Sequence, residues 1–179
     1  MTKEIVNIYD ENNKFLNKDT LDNAHKLGLW HRSAHMWIYN DKGELLIQLR
    51  QKDMNFYPDK WDLSSAGHID SNETLREGAL REVFEELGLD LKENDLTLYR
   101  IMKRILNYPG IINPEFCYIY LIKLNINLSE IKIQDYELQD VKFISLNDLE
   151  NDLKNNPTKY VPHNDYWFEM INEIKKRLN

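Results

Sequence analysis

GHIDSNETLREGALREVFEELGL, residues 67–89, holds one well-delimited helix and an unusual set of charges along it. Thr74 followed three residues later by Glu77 has the spacing of a capping box, and Gly88 stands where a left-handed stop is needed, so a helix is predicted over Leu75–Leu87. At about 100° per residue, Ala79, Leu80, Val83, Phe84 and Leu87 fall on one face, with Glu82, Glu85 and Glu86 on the opposite side. Carboxylates at i, i+3 and i+4 repel one another by roughly 0.2–0.5 kcal/mol per pair on an isolated helix. Either water screens them, as on any solvated helix face, or a divalent cation compensates them. Hard cations such as Mg²⁺ take oxygen ligands and are commonly held by one or two carboxylates together with the phosphates of a substrate.

Working outward from this helix, strand-like stretches dominate the amino-terminal side. Ala34–Tyr39 and Glu44–Gln48 flank Asn40-Asp41-Lys42-Gly43, which has turn chemistry and forms the clearest hairpin of the sequence. Ile5–Tyr9 and Phe15-Leu16, around the polar run 10–14, read as a smaller hairpin. On the carboxyl-terminal side, Leu96–Arg104, Glu115–Lys123 and Val141–Ile144 are predicted strands, with a turn at Pro109-Gly110 and a polar linker over 125–139. A short helix is expected after Ser145, where Asp148 has cap-like spacing, and another over Asp165–Leu178, packed through Tyr166, Phe168, Ile171 and Ile174. The fold class is α/β, a mixed sheet flanked by helices.

With 179 residues, of which 42% are apolar and 11% aromatic, the chain suits one hydrophobic core, so a single domain over 1–179 is expected. No run approaches the ~20 apolar residues of a membrane span. Asp10 and Glu11 arrive before any apolar run of signal-peptide length, and a lone Cys117 cannot form an internal disulfide, which together point to a cytoplasmic protein. A net charge of −7 disfavours a broad electrostatic grip on nucleic acid. It leaves open a small phosphorylated ligand, since bound cations reverse the field of a carboxylate-rich site.

Five residues separate Gly67 from Glu73, seven more lead to Arg81, and Glu82, Glu85, Glu86, Gly88 and Leu89 follow in fixed register. This stretch resembles the Nudix box, G-x5-E-x7-R-E-U-x-E-E-x-G-U with U aliphatic, at every fixed position. The resemblance implies an α/β/α sandwich and a Mg²⁺- or Mn²⁺-dependent hydrolase of a diphosphate linkage, its partner being a small-molecule diphosphate such as a nucleoside diphosphate derivative. It implies that Glu82, Glu85 and Glu86 ligate metal or help activate water, that Gly67 lends its carbonyl, and that Glu73 and Arg81 secure the loop against the helix. Some Nudix enzymes take a further glutamate from outside the box, and Glu115, opening a hydrophobic strand, is the candidate here.

Trp61–His68 and Leu29-Trp30-His31 resemble a second group within the same superfamily, the type I isopentenyl-diphosphate isomerases. That resemblance implies a second metal site at His31 and His68. The isomerases carry a catalytic Cys immediately before the box Gly, where this chain has Ala66, and alanine can neither donate nor accept a proton. A non-catalytic nucleotide-binding regulatory module is a third reading, against which the intact box glutamates count. Arg50 and Lys52, at the end of the second hairpin strand, are candidates for charge-assisted contacts to substrate phosphates, although isolated cations are equally ordinary surface.

Overall fold

The computed structural model describes residues 4–54, 56–108 and 111–179. The turn expected at Pro109-Gly110 lies outside them. The chain runs β1 (Ile5–Tyr9), β2 (Phe15–Thr20), α1 (Leu21–Leu27), β3 (His31–Tyr39), β4 (Glu44–Arg50), β5 (Trp61–Asp62), β6 (Ser65–His68), α2 (Leu75–Leu87), β7 (Thr97–Tyr108), β8 (Ile111–Lys123), β9 (Leu138–Ser145), α3 (Leu146–Asn155) and α4 (Asp165–Leu178). Short 3₁₀ turns fill parts of the connections, one of them, Leu128–Glu130, inside the expected linker.

β1 and β2 form a separate two-stranded ribbon; the other strands make one mixed sheet. β3 is its axis, pairing in parallel with β8 over its whole length and antiparallel with β6 through Ser33–Met36. The expected β3–β4 hairpin has its turn, but the strands pair only at Tyr39 and Leu45; beyond that point they splay, and β4 takes β9 as its long antiparallel neighbour. This splay opens a gap between the two halves of the sheet.

Helices cover both faces, which gives the α/β/α sandwich. The period of two in a strand explains how one sequence serves both layers. Ala34, Met36 and Ile38 of β3 and Tyr118, Tyr120 and Ile122 of β8 pack toward Ala79, Val83 and Leu87 of α2. The alternate residues Trp37, Tyr39, Ile119 and Leu121 pack toward α3 and α4 through Leu149, Trp167, Met170, Ile171 and Ile174. Among the described residues no helix is long and apolar enough to cross a membrane.

The predicted helix 75–87 is α2, but its faces differ from the expectation at two positions. Phe84 is 58% exposed and Glu86 is 3% exposed. Glu86 lies seven residues, about two turns, after Ala79 and so shares its inward direction, whereas Phe84 is turned well away from that line. Both caps form: Thr74 Oγ1 accepts from the Glu77 backbone N–H, Glu77 accepts from the Thr74 N–H, and Gly88 adopts φ 67°. Thr74→Ala should therefore destabilise the protein by about 1 kcal/mol in urea denaturation; no loss would mean that the cap contributes nothing to the start of α2.

Candidate active site

The inward face of the sheet turns polar at one end. On β3 the residues preceding Trp37 on the same face are His31, Ser33 and His35; on β8 those preceding Ile119 are Asn113, Glu115 and Cys117, and His31 pairs in register with Glu115. All six are buried. With Arg104 of β7, β6 and the outer side of α2, most of them border a cleft of about 740 Å³. Glu82, Glu85 and Glu86 enter it from α2, Gly67 and His68 from β6, and Arg50 from β4, so the cleft gathers most of the sequence-predicted site. Lys52 is exposed and does not line it.

Gly67 and Glu82 are in direct contact. A Cβ at residue 67 would lie 2.0 Å from the Glu82 carboxylate carbon, so only glycine lets that carboxylate rest against the β6 backbone. Arg81 ties the segment together. It donates to both oxygens of Glu73, at 2.6 and 3.1 Å, to the His68 carbonyl at 3.0 Å, and to Glu82 and Glu85 at 2.8 Å each. Glu86 accepts from the Ala66 backbone N–H at 3.2 Å. The three box carboxylates thus share the cleft but do not close on one point: the Arg81 guanidinium sits between Glu82 and Glu85, and Glu86 is turned toward β6.

Burial raises the proton affinity of two of these acids. Glu82 is pushed up to about 7, by burial first, against the lowering effect of Arg81. Burial, then the neighbouring Glu82, pushes Glu86 well above the ordinary carboxylate value. Across the cleft the balance is opposite. Burial would raise Glu115, but Arg104 at 3.2 Å and the nearby imidazoles outweigh it and hold the carboxyl at about 2.

His25, His31 and His68 form the one set of three potential ligand groups among the described residues whose atoms all lie within 4.8 Å of one another. His31 Nδ1 is 2.8 Å from the Leu29 carbonyl, which can only accept, so Nδ1 carries a proton and donates it there. Nε2 of His31 and of His25 are buried without a partner. Burial pushes His68 down to about 3 and lowers His25 as well, so both rings are neutral, and Glu115 lies 3.6 Å from His68 Nε2. His25 was not legible as a site residue. It sits on α1, whose seven residues are too few to show a helical period, although Thr20 caps it and Gly28 ends it.

Residues 29–166 match the NUDIX domain family. An uncharacterised Nudix hydrolase of Clostridium acetobutylicum is 33% identical over 155 residues, 85% of this chain and 72% of that protein. The isopentenyl-diphosphate Delta-isomerase of Salmonella arizonae is 26% identical over 165 residues, 90% of this chain and 88% of that one. Among solved structures, DR0079 from Deinococcus radiodurans superposes with a TM-score of 0.69 over 96% of this chain and 99% of its own, at 16% identity, a likeness of fold. This chain belongs to the Nudix hydrolase family, whose members are generally divalent-metal-dependent pyrophosphatases acting on nucleoside diphosphate derivatives.

The raised carboxyls give a pH signature to the metal-free protein. A group whose folded pKa lies above its unfolded value favours the fold while protonated, and that stability is lost as pH rises through the folded pKa. For Glu82 the window runs from the ordinary carboxylate value to about 7, and Glu86, raised in the same direction, adds to the loss. Glu115, held low, acts only in acid below that window. Buried His25, His35 and His68, whose proton affinities are lowered, work in the opposite sense below their ordinary value of 6.5, so the signature is read as a difference between proteins. With chelator present, Glu86→Gln should gain in melting temperature relative to the parent as pH rises from 5 to 8; a constant difference would show that Glu86 carries no such penalty.

Proposed function

We propose that this protein hydrolyses a diphosphate linkage in a phosphorylated metabolite, a nucleoside diphosphate derivative, with Mg²⁺ or Mn²⁺ held by Glu82, Glu85 and Glu86 beside the Gly67 backbone. The observation that carries this reading is a buried Glu86 and a largely buried Glu82 at one cleft wall, where Arg81 pairs with Glu82 and, among the described residues, no cation forms a salt bridge with Glu86. Buried carboxylates left without a counter-charge are costly, and a divalent cation is the counter-charge that such oxygen donors fit. Bound there, the metal neutralises the diphosphate and makes an attacking water more acidic. The chain's own groups do the rest. One of these three carboxylates, through the oxygen it does not give to the cation, would take the water's proton, and Arg50, on the cleft wall, binds a phosphate oxygen. Glu115, with its proton affinity held low, is a poor base at neutral pH and serves to fix His68 and Arg104. Glu73 and Arg81 keep the loop against α2.

The three imidazoles with Glu115 fit a second divalent cation, with nitrogen donors that suit Mn²⁺ or Zn²⁺. The whole chain acts as one domain in this reading, and a single buried Cys117 suits a reducing cytoplasm.

The test is turnover at saturating Mg²⁺ on a panel of nucleoside diphosphates, dinucleotides and nucleotide sugars with product identification. Glu86→Gln and Glu85→Gln should each lower turnover by roughly 100-fold, about 2.7 kcal/mol of barrier, while both variants remain folded. Full turnover in both would refute the metal assignment. Isomerisation of isopentenyl diphosphate is not expected, because alkene protonation and deprotonation need acid–base groups on both sides of the substrate, and Ala66 supplies none. Incubation in heavy water should give no deuterium incorporation; incorporation at an enzyme-like rate would overturn this reading.

A further inference from the structure

Beside the box glutamates, the sheet wall of the cleft carries a second polar group that neither the hydrolase chemistry nor the imidazole cluster uses. It begins with a chain of hydrogen bonds that runs from Trp37 through Tyr166 to His35. The Trp37 indole can only donate, and its Nε1 is 2.8 Å from the Tyr166 hydroxyl oxygen. That oxygen accepts from Trp37, and because His35 Nδ1, at 3.2 Å, is the one acceptor within reach of its own proton among the described residues, we assign the proton to that bond. His35 is deeply buried and neutral, its proton affinity lowered by burial first and then by the charge of Arg104. With Nδ1 accepting, the ring proton resides on Nε2. His35 lines the cleft and is a fixed N–H donor there.

Arg104 stands on the same wall. Glu115 comes to 3.2 Å of its Nε, without hydrogen-bond alignment. Neither amino group of the guanidinium has a hydrogen-bond partner among the described residues, so the bidentate fork of a mostly buried arginine remains unfilled in the cleft. Asn113, 7% exposed and also lining the cleft, has no partner for its side-chain oxygen. The donors of Arg104 and His35 reject hydrocarbon, because nothing would replace the water they lose, and favour a group rich in acceptor oxygens, whereas the Asn113 oxygen, an acceptor, calls for a hydroxyl. The array is next to the box: His35 pairs with Ala66 across β3 and β6, and the Ala66 N–H donates to Glu86.

We propose that Arg104 and His35 form an oxyanion receptor for an acidic group, phosphate or carboxylate, on the moiety attached to the substrate's diphosphate. This rests on the hydrolase reading for the position of the diphosphate, and it narrows the substrate to diphosphates that carry a further oxyanion. Asn113 completes the receptor with a contact to a hydroxyl of the same group.

Calorimetric titration of the chelator-treated full-length protein with inorganic phosphate and, separately, with acetate tests it without any metal-held ligand. Because Arg104→Met alone would leave Glu115 buried and unpaired, the main variant is Arg104→Met with Glu115→Gln, accompanied by Arg104→Lys, which keeps the charge and loses the fork. Phosphate or acetate should bind the parent, the tighter of the two naming the acid. The double variant should weaken that binding at least tenfold, Arg104→Lys by several-fold, and Glu86→Gln by less than twofold. Anion binding should also shift the Trp37 indole N–H resonance, which a merely structural role for Arg104 would not do. Failure of both anions to bind, or equal binding by the double variant, overturns the receptor. If the receptor binds as expected but no diphosphate is hydrolysed, the hydrolase reading fails and not this one; if Glu86→Gln abolishes hydrolysis while Arg104 proves irrelevant to binding, the receptor alone fails.

Discussion

One guanidinium sets the geometry on which the rest depends. Arg81 meets three carboxylates and a backbone carbonyl at once, joining the loop through Glu73 and His68 to the helix face that carries Glu82 and Glu85. Burial works against its charge, but the three glutamates outweigh that and keep it protonated. A planar fork with five donors can make this junction; an ammonium cannot. The consequence is that Glu82 is pressed against Gly67, at a distance where any side chain on residue 67 would collide. The glycine, the arginine and the glutamates of the box are thus parts of one packing solution.

The second constraint is the alternation of β3 and β8 between two cores. Each strand spends one face on α2 and the other on α3 and α4, and the second face runs out of apolar residues toward the amino ends of both strands. There His31 pairs with Glu115 and Ser33 with Cys117 in parallel register, and His35 and Asn113 lie on the same face. The splay of β4 from β3 leaves this polar end open as a cleft instead of closing it as core. Two electrostatic regimes result in one cavity: a wall where burial raises carboxyl proton affinity, and a wall where Arg104 and the imidazoles lower it.

Elements with a long period and a cap were legible in the sequence. α2 and α4 fall on the residues that Thr74, Gly88 and the apolar spacing of 165–178 indicate, and α3 starts after Ser145. β5 and β6, of two and four residues, are too short to show alternation, and α1 is too short to show helical period. The box glutamates were legible as a set, but the inward direction of Glu86 was not, because its charge masked its two-turn spacing from Ala79. His25 and Arg104 escaped for a different reason. Nothing local marks either residue, and each becomes informative only when the register of β3, β8 and β7 brings it beside His31, His68 and Glu115.

The central claim is that the buried carboxylates of α2 are a cation site. Anomalous diffraction from crystals soaked in Mn²⁺ tests it most directly. The account predicts a peak at roughly 2.1 Å from carboxylate oxygens of Glu82 and Glu86, the distance expected for hard-cation ligands, with Arg81 drawn back from Glu82. Crystals that take up Mn²⁺ only among His25, His31 and His68, with Glu82 still bound to Arg81, would contradict it.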